Sequence, residues 1–143
     1  MTLQVPYRSV QRVYFDDLDA LNILHNVRYV LFMERARGEF FNELGFRWAD
    51  DIKTNPDKHH VVAEHHIQYT SPFRGEGEVV VELMPKHLGT SSLKIAGEVK
   101  ALHGTTVYAR GESRIVRLDP VTNKPCSWSE RFRGLVTPLV QAP

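Results

Sequence analysis

The apolar residues of this chain follow a strand period first, then a helical period, and then the strand period again. Residues 5–15 are predicted to form a strand, with Val13 and Phe15 on one face and Arg12 and Tyr14 on the other. Over residues 26–44, apolar side chains recur at every third or fourth position, which predicts a long helix with a broad apolar face. Asn26 is a candidate N-cap of this helix, and Gly45 stands where a left-handed residue would end it.

The rest of the chain is dominated by strand patterns. Four further strands are predicted at residues 61–69, 78–84, 90–102 and 106–118. Because most of the turns between them are short, we expect neighbouring strands to pair antiparallel. The segment after Pro120 carries several prolines up to Pro143, and we expect it to be only partly ordered. This order of elements predicts a single α+β domain over residues 1–143, in which a curved antiparallel sheet wraps a long central helix.

Composition and charge narrow the classes of function. The 143 residues contain 18 Lys and Arg against 17 Asp and Glu, a net charge of +1. This balance is too small for a protein that neutralises nucleic-acid phosphates, so we expect no nucleic-acid partner. One cysteine, Cys126, excludes an internal disulfide and a four-cysteine zinc site. A chain of this length also has little room for a deep active site of its own.

Location and assembly follow from the same patterns. No apolar run reaches the roughly 20 residues of a membrane span, and the first eight residues lack a signal-peptide core. We therefore expect a cytoplasmic protein with no membrane partner. The remaining face and the edges of the predicted sheet favour self-association, so we expect a homodimer or a homotetramer.

Three acidic residues, Asp16, Asp17 and Asp19, precede the predicted helix. They can cap the helix and interact favourably with its positive end. Asp19, however, lies too far before Asn26 for simple capping. The second interpretation is a carboxylate held against the free N–H groups of a helix start. There it can act as a nucleophile or as a general base, while the N–H groups stabilise an oxyanion.

The segment around this turn resembles the signature of the hot-dog-fold acyl-CoA thioesterases of the 4-hydroxybenzoyl-CoA thioesterase type, D-x-D-x-x-G-x-[VL]-x-[NYH]-x-x-Y followed by a long helix. The residues in register are Asp17, Asp19, Leu24, Asn26, Tyr29 and the run Glu34-Arg35-Ala36-Arg37. The later run Tyr69-Thr70-Ser71-Pro72-Phe73-Arg74-Gly75-Glu76 resembles the strand of that family that ends in a proline and a Gly-acidic turn. The resemblance extends through about residue 118 and implies a hot-dog fold.

By this resemblance, Asp19 is the catalytic carboxylate and the backbone N–H of Asn26 polarises the thioester carbonyl. The usual glycine of the motif is replaced by Asn22 in this chain. Asparagine tolerates positive φ, so the turn can survive the replacement. The alternative is that Asn22 re-aims Asp19 or narrows the pocket.

Further residues are candidates for binding the substrate. His25 and Tyr29 lie in the motif, whereas Lys86, Ser91 and Ser92 lie between two predicted strands, about where the family contacts coenzyme A (CoA). Each has a structural alternative. The histidine can be a local hydrogen-bonding group, the tyrosine can belong to the core, and the other three can belong to a solvated hairpin.

The resemblance implies hydrolysis of an acyl thioester, on CoA or on an acyl carrier protein, to a free acid and a thiol. It implies no metal or redox cofactor, and a site that lies between subunits. Two alternatives stay open: a non-hydrolytic thioester-binding protein or component of a biosynthetic complex, and a hydratase or dehydratase of the same fold.

Four histidines suggest a metal site as an alternative function for one strand. His59, His60, His65 and His66 lie near Glu64. In a strand, neighbouring side chains point to opposite faces, so adjacent histidines do not converge. No cysteine or spaced set of carboxylates completes a ligand set. We therefore interpret these histidines as polar residues on or near a strand.

Overall fold

A computed structural model describes residues 3–140 of the chain. The strands are β1 (Tyr7–Val13), β2 (His60–Tyr69), β3 (Gly77–Leu88), β4 (Ser92–Ala101) and β5 (Val107–Arg117), and the helices are α1 (Asn26–Leu44) and α2 (Glu130–Val136). Single turns of 3-10 helix lie at Phe15–Asp17, Pro56–Lys58 and Thr137–Leu139. The predicted long helix and all five predicted strands are present, with their ends shifted by at most a few residues.

The strands form one antiparallel sheet in the order β1-β3-β4-β5-β2. The prediction that sequence neighbours pair is wrong for β2 and β3, because β2 pairs with β5 at the far edge. The segment that joins β2 to β3 is bonded to the turn before α1 instead. Leu24 N–H donates to Phe73 O (2.9 Å), and Gly75 N–H donates to Asn22 O (3.0 Å). These bonds satisfy the backbone of a connection that crosses the fold.

The core lies between α1 and the concave face of the sheet. From α1 it includes Tyr29, Phe32, Met33, Ala36, Phe40 and Phe41, and from the sheet Val13, Val79, Val81, Leu83, Leu93, Ile95, Val99, Ala109 and Ile115. Burying each large side chain contributes roughly 1.5–3 kcal/mol, so this interface is the main source of stability. The α+β architecture with a wrapped central helix is confirmed.

The ends of α1 are fixed by two different caps. Its first residue is Asn26, and the N-cap is His25, whose Nδ1 accepts a hydrogen bond from Val27 N–H (3.3 Å). The prediction of Asn26 as the N-cap is therefore wrong by one residue. Gly45 has a φ of 95° and ends the helix, as predicted. In the described residues, no helix is long and apolar enough to cross a membrane.

The segment after Pro120 is more structured than its prolines suggest, and the expectation of a partly ordered tail is corrected here. It forms α2, and Trp128, Phe132, Val136 and Leu139 are all buried. The rings of Trp128 and Phe132 stack at 4.2 Å, and Phe132 packs edge-to-face on Phe41 of α1. This apolar contact outweighs the local effect of the prolines. Pro143 lies outside the described residues.

Candidate functional site

Three segments of the chain meet at a cavity of about 340 Å³ beside the start of α1. The turn before α1 contributes Asp19, Ile23 and Leu24, the first turn of α1 contributes Asn26 and Tyr29, and the end of β2 with its following loop contributes Tyr69, Thr70, Ser71 and Pro72. The two predicted catalytic residues therefore line one cavity. Its walls are apolar and aromatic, with a carboxylate and a helix start among them.

Asp19 is held by its own turn. Its Oδ1 accepts hydrogen bonds from Leu21 N–H (2.8 Å) and Ile23 N–H (3.2 Å). Its backbone N–H donates to Ile23 O (2.8 Å), so the turn closes on itself. Among the described residues, no donor is bonded to Oδ2. One oxygen thus anchors the carboxylate, and the other is available to a molecule in the cavity.

Asn22, which stands where the resembling motif has glycine, adopts a left-handed backbone conformation. Its φ is 61°, in the left-handed region that asparagine tolerates better than most residues. Its N–H donates to Asp19 O (3.0 Å). The expectation that the turn survives the replacement is confirmed.

The other two acids of the turn have different positions. Asp17 is only 6% exposed, and its side chain accepts from Tyr14 N–H (2.8 Å) and faces Arg28 Nε at 3.4 Å. It is a structural residue of the turn. Asp16 is exposed and does not line the cavity. None of the three acids caps α1, since His25 does, so the capping interpretation of this acidic stretch is wrong.

The first turn of α1 presents one N–H group without an acceptor. Val27 N–H is bonded to the His25 ring, and Arg28 N–H donates to His25 O (2.9 Å). Within residues 3–140, no acceptor is bonded to Asn26 N–H. A free N–H at the positive end of a helix is suited to stabilise negative charge on a substrate oxygen.

Two tyrosines form the aromatic wall of the cavity. The rings of Tyr29 and Tyr69 pack edge-to-face with centroids 5.3 Å apart. Tyr29 is 3% exposed, and this burial raises the pKa of its hydroxyl. The Tyr69 hydroxyl donates to the backbone oxygen of Asn26 (3.0 Å). Sequence reasoning assigned no role to Tyr69, although it stands in the matched run before Pro72.

The predicted substrate-binding residues lie in different parts of the structure. Tyr29 lines the cavity, whereas His25 does not and serves as the helix cap. Ser91 and Ser92 lie at the other end of the sheet, where Ser92 O accepts from Trp128 Nε1 (3.0 Å). Lys86 lies on the outer, convex face of the sheet. Within one chain, therefore, only Tyr29 of the five candidate substrate-binding residues lines this cavity.

A trough of about 670 Å³ lies on that outer face. Charged residues of its lining are paired: Arg110 faces Glu98 (3.8 Å), and Glu82 accepts from Lys100, which lies outside the lining (2.9 Å). It is open along the sheet and contains neither Asp19 nor the start of α1. The cavity beside the start of α1 is the better candidate for an active site, because a carboxylate and a free N–H donor meet there.

The four histidines considered as metal ligands have separate surroundings. His59 bonds Asn123, His60 lies among aromatic rings, His65 bonds Ser113 and faces Glu34, and His66 faces Glu64. Within the described part of the chain, no three His, Cys, Asp or Glu side chains are grouped as a metal site requires. Burial lowers the pKa of His60 to about 4.

Comparisons with known proteins agree with this geometry. A sequence model of the thioesterase superfamily matches residues 21–108, more than half of the chain. The match begins two residues after Asp19. None of the curated proteins is similar enough in sequence to match.

Several solved structures are similar over nearly the whole chain. A thioesterase from Thermus thermophilus, complexed with coenzyme A and Zn, is 29% identical, with a TM-score of 0.78 and coverage of 96% of this chain and 97% of that one. The 1,4-dihydroxy-2-naphthoyl-CoA thioesterase Slr0204 from Synechocystis is 11% identical (TM-score 0.80; 93% and 96% covered). The Staphylococcus aureus protein SAV2348, in complex with CoA, is 15% identical (TM-score 0.84; 100% and 90% covered). The latter two show the fold alone.

The family match and the fold together identify the class of protein. The sheet order, the wrapped helix and these structural neighbours establish the hot-dog fold. The chain belongs to the thioesterase superfamily and is a hydrolase of thioesters.

Proposed function

We propose that this protein hydrolyses an acyl-CoA thioester, with Asp19 as the catalytic carboxylate and the N–H of Asn26 as the donor to the thioester carbonyl. The observation that carries this proposal is the meeting of both groups at one cavity, each with a free hydrogen-bonding position. The CoA found in two of the similar structures supports CoA as the carrier of the acyl group. We further propose a cytoplasmic location.

The chemistry needs only these two groups and water. As the carbonyl carbon is attacked, its oxygen gains negative charge, which the Asn26 N–H and the helix dipole stabilise. The attacking group is either water, whose proton passes to Asp19 Oδ2, or Oδ2 itself. In the first route the C–S bond breaks as the proton held on Oδ2 passes to the sulfur, so CoA leaves as the thiol. In the second, the C–S bond breaks as the acyl–Asp19 anhydride forms, and CoA leaves as a thiolate that takes a proton from water. A water molecule then attacks the anhydride, which releases the acid and regenerates the Asp19 carboxylate.

We propose that the site is completed in a homodimer, or in a homotetramer built from such dimers. The cavity lies at the end of β2, and within residues 3–140 β2 pairs with β5 alone, which leaves its other edge unpaired there. Val61 and Val62 are 47% and 37% exposed along this strand. A second copy that pairs with this edge would cover them and close the open side of the cavity.

Such a dimer would bring Ser91 and Ser92 of one copy close to the cavity of the other. In an antiparallel pair of β2 strands, the His60 end of one copy lies beside the Tyr69 end of the other. Ser91 is at the His60 end, because its backbone oxygen accepts from Arg117 N–H, and Arg117 pairs with His60. We propose that these serines contact CoA in the partner's cavity. Lys86 is on β3, separated from β2 by two strands, and is not part of this proposal.

The non-hydrolytic alternative has lost its main support. It rested on the replacement of the usual glycine by Asn22, which could have misplaced Asp19. With a φ of 61°, Asn22 maintains the turn, and Oδ1 of Asp19 is held by two N–H groups. Hydrolysis is therefore the function that the geometry supports best.

The test is the release of free thiol from a panel of short-chain, long-chain and aromatic acyl-CoAs. Asp19→Asn keeps Oδ1 as an acceptor for the turn and removes the negative charge. We expect kcat to fall by roughly 100-fold or more, the usual effect of removing a general base or nucleophile. Asp16→Asn is the matched control in the same turn and should stay within about twofold of wild type, because Asp16 does not line the cavity.

Unchanged turnover in Asp19→Asn would remove Asp19 from the mechanism. If the wild-type protein releases no thiol from any acyl-CoA but binds one, the non-hydrolytic alternative is correct. Turnover of acyl carrier protein thioesters alone would correct the proposed carrier.

A further inference from the structure

One side-chain contact ties the end of β2 to the start of α1. The hydroxyl of Tyr69 donates a hydrogen bond to the backbone oxygen of Asn26, with 3.0 Å between the oxygens. The ring of Tyr69 is held edge-to-face against Tyr29, which is itself buried in the core. Tyr69 is 50% exposed, so this ring contact and the hydroxyl bond hold its side chain beside the residue that carries the free N–H.

Other contacts restrain the residues on either side of Asn26: His25 N–H donates to Asp17 O (2.9 Å), and Arg28 Nε faces Asp17 Oδ1 (3.4 Å). Asn26 and Val27 themselves are exposed, and the side-chain cap from His25 is a single bond of 3.3 Å to Val27 N–H. Exposed helix ends open locally at low free-energy cost. Without a further contact, the direction of the Asn26 N–H would vary with this fraying.

The position of that N–H matters for the reaction. A donor stabilises an oxyanion only when it is aimed at the place where the charge develops, and an error of about 1 Å can cost roughly 100-fold in rate. The Tyr69 hydroxyl binds the oxygen of the residue whose N–H is the donor. It thereby fixes Asn26 relative to β2 and the loop after it, which form the opposite wall of the cavity.

We propose that Tyr69 is a positioning residue of the thioesterase site, which holds the Asn26 N–H in the direction required by the transition state. This inference rests on the proposed function, in which Asn26 N–H polarises the carbonyl. Tyr69 acts through Asn26 and not on the substrate. Its loss should therefore lower kcat and leave KM nearly unchanged, since ground-state binding does not require the aligned donor.

The test is Tyr69→Phe, which keeps the aromatic ring and removes only the hydroxyl. We expect kcat to fall roughly 10-fold or more, with KM within about twofold of wild type. Tyr108→Phe is the matched control. The ring of Tyr108 packs edge-to-face on Phe73 near the same cavity, but within the described residues its hydroxyl has no hydrogen-bond partner. Its kinetics should match wild type.

A second measurement separates positioning from direct action on the substrate. Amide hydrogen exchange at Val27 and Arg28 reports opening of the first turn. In Tyr69→Phe it should be faster than in wild type, while exchange in the centre of α1 and the thermal midpoint stay close to wild type. Lower kcat with unchanged exchange would mean that the hydroxyl acts on the substrate, and this would overturn the proposal. Wild-type kcat in Tyr69→Phe would overturn it as well.

The two proposals can fail separately. If wild-type protein hydrolyses none of the thioesters, the proposed function fails and the catalytic role of Tyr69 fails with it. The exchange experiment then still decides whether the hydroxyl orders the helix start. If Asp19→Asn is inactive and Tyr69→Phe is fully active, the function stands and only the role of Tyr69 is overturned.

Discussion

Asn22 holds the turn that carries Asp19 in the left-handed region of backbone conformation, with φ at 61°. Glycine adopts this conformation freely and alanine does not, so replacing Asn22 by each of them tests whether the turn depends on it. We expect Asn22→Gly to keep kcat within about twofold of wild type. Asn22→Ala should destabilise the protein by about 1 kcal/mol and lower kcat, since a strained turn moves Asp19. Chemical denaturation and thiol release measure the two effects.

The two Asn22 variants control for each other, because both remove the same side chain. If both variants lose stability and kcat to the same extent, the amide of Asn22 matters and its backbone conformation does not. If Asn22→Ala equals wild type in stability and in kcat, the turn does not depend on a left-handed residue at this position.

Individual residues were predictable where local chemistry determines their position. The pairing of Asp19 with the start of α1 follows from a short motif, in which few residues separate the two groups. His25 could not be assigned from sequence, because a histidine before a helix can cap it or line a pocket, and only the 3.3 Å contact with Val27 N–H decides. Ser91 and Ser92 have the composition of any solvated hairpin, so their distance from the cavity was not visible in the sequence.

At the scale of elements, α1 was predicted at its observed bounds because its apolar period and Gly45 are both local signals. The position of β2 was not predictable, since short connections usually join neighbouring strands. The bonds from the loop after β2 to Asn22 and Leu24 override that rule. The signal for α2 was present but short: Phe132, Val136 and Leu139 recur at helical spacing among prolines.

One residue links several elements and gives the protein a predicted acid sensitivity. His60 begins β2 and packs against the rings of Phe41, Trp48 and Trp128, while its Nδ1 bonds Asp57 O (2.7 Å). Its Nε2 is buried without a partner among the described residues. Burial lowers its pKa from 6.5 to about 4; nearby Arg37 and His59 add to this, and the Asp57 backbone and charge oppose it.

The sign of the effect follows from proton linkage. Above about pH 6.5, His60 is neutral in both the folded and the unfolded chain. Between pH 6.5 and 4 the unfolded chain binds a proton that the folded chain does not, so stability falls as pH falls. The loss reaches about 3 kcal/mol near pH 4 and then levels off. Urea unfolding at a series of pH values measures this contribution.

Two variants isolate the contribution of His60. His60→Phe fits an aromatic environment and cannot titrate, so the free energy of unfolding should fall less steeply between pH 6.5 and 4. It should also be less stable at pH 7, because the bond to Asp57 O is lost. His103→Gln, in the exposed hairpin between β4 and β5, should keep the wild-type slope. An unchanged slope in His60→Phe would show that other groups cause the acid sensitivity.

At the scale of the whole molecule, the two edges of the sheet differ in how they are protected. β1 carries Arg8 and Arg12 beside Val10, and charged side chains discourage edge pairing. β2 instead exposes the consecutive residues Val61 and Val62. From this asymmetry we propose β2 as the edge for self-association, where a second copy would complete the site of a chain of this length.

Lysine substitutions on β2, with a control on β1, test whether β2 is the edge for self-association. We expect the wild-type protein to have about twice the 16.4 kDa mass of one chain, or four times that mass, in light scattering. The double variant Val61→Lys/Val62→Lys should be a monomer, because two charges would be buried at the interface. Its kcat should fall at least roughly 10-fold, since the open side of the cavity is no longer covered.

Val10→Lys, at a 51% exposed position on β1, should keep the wild-type mass and activity. A double variant that stays assembled would move the interface away from β2, and a fully active monomer would show that one chain forms the whole site.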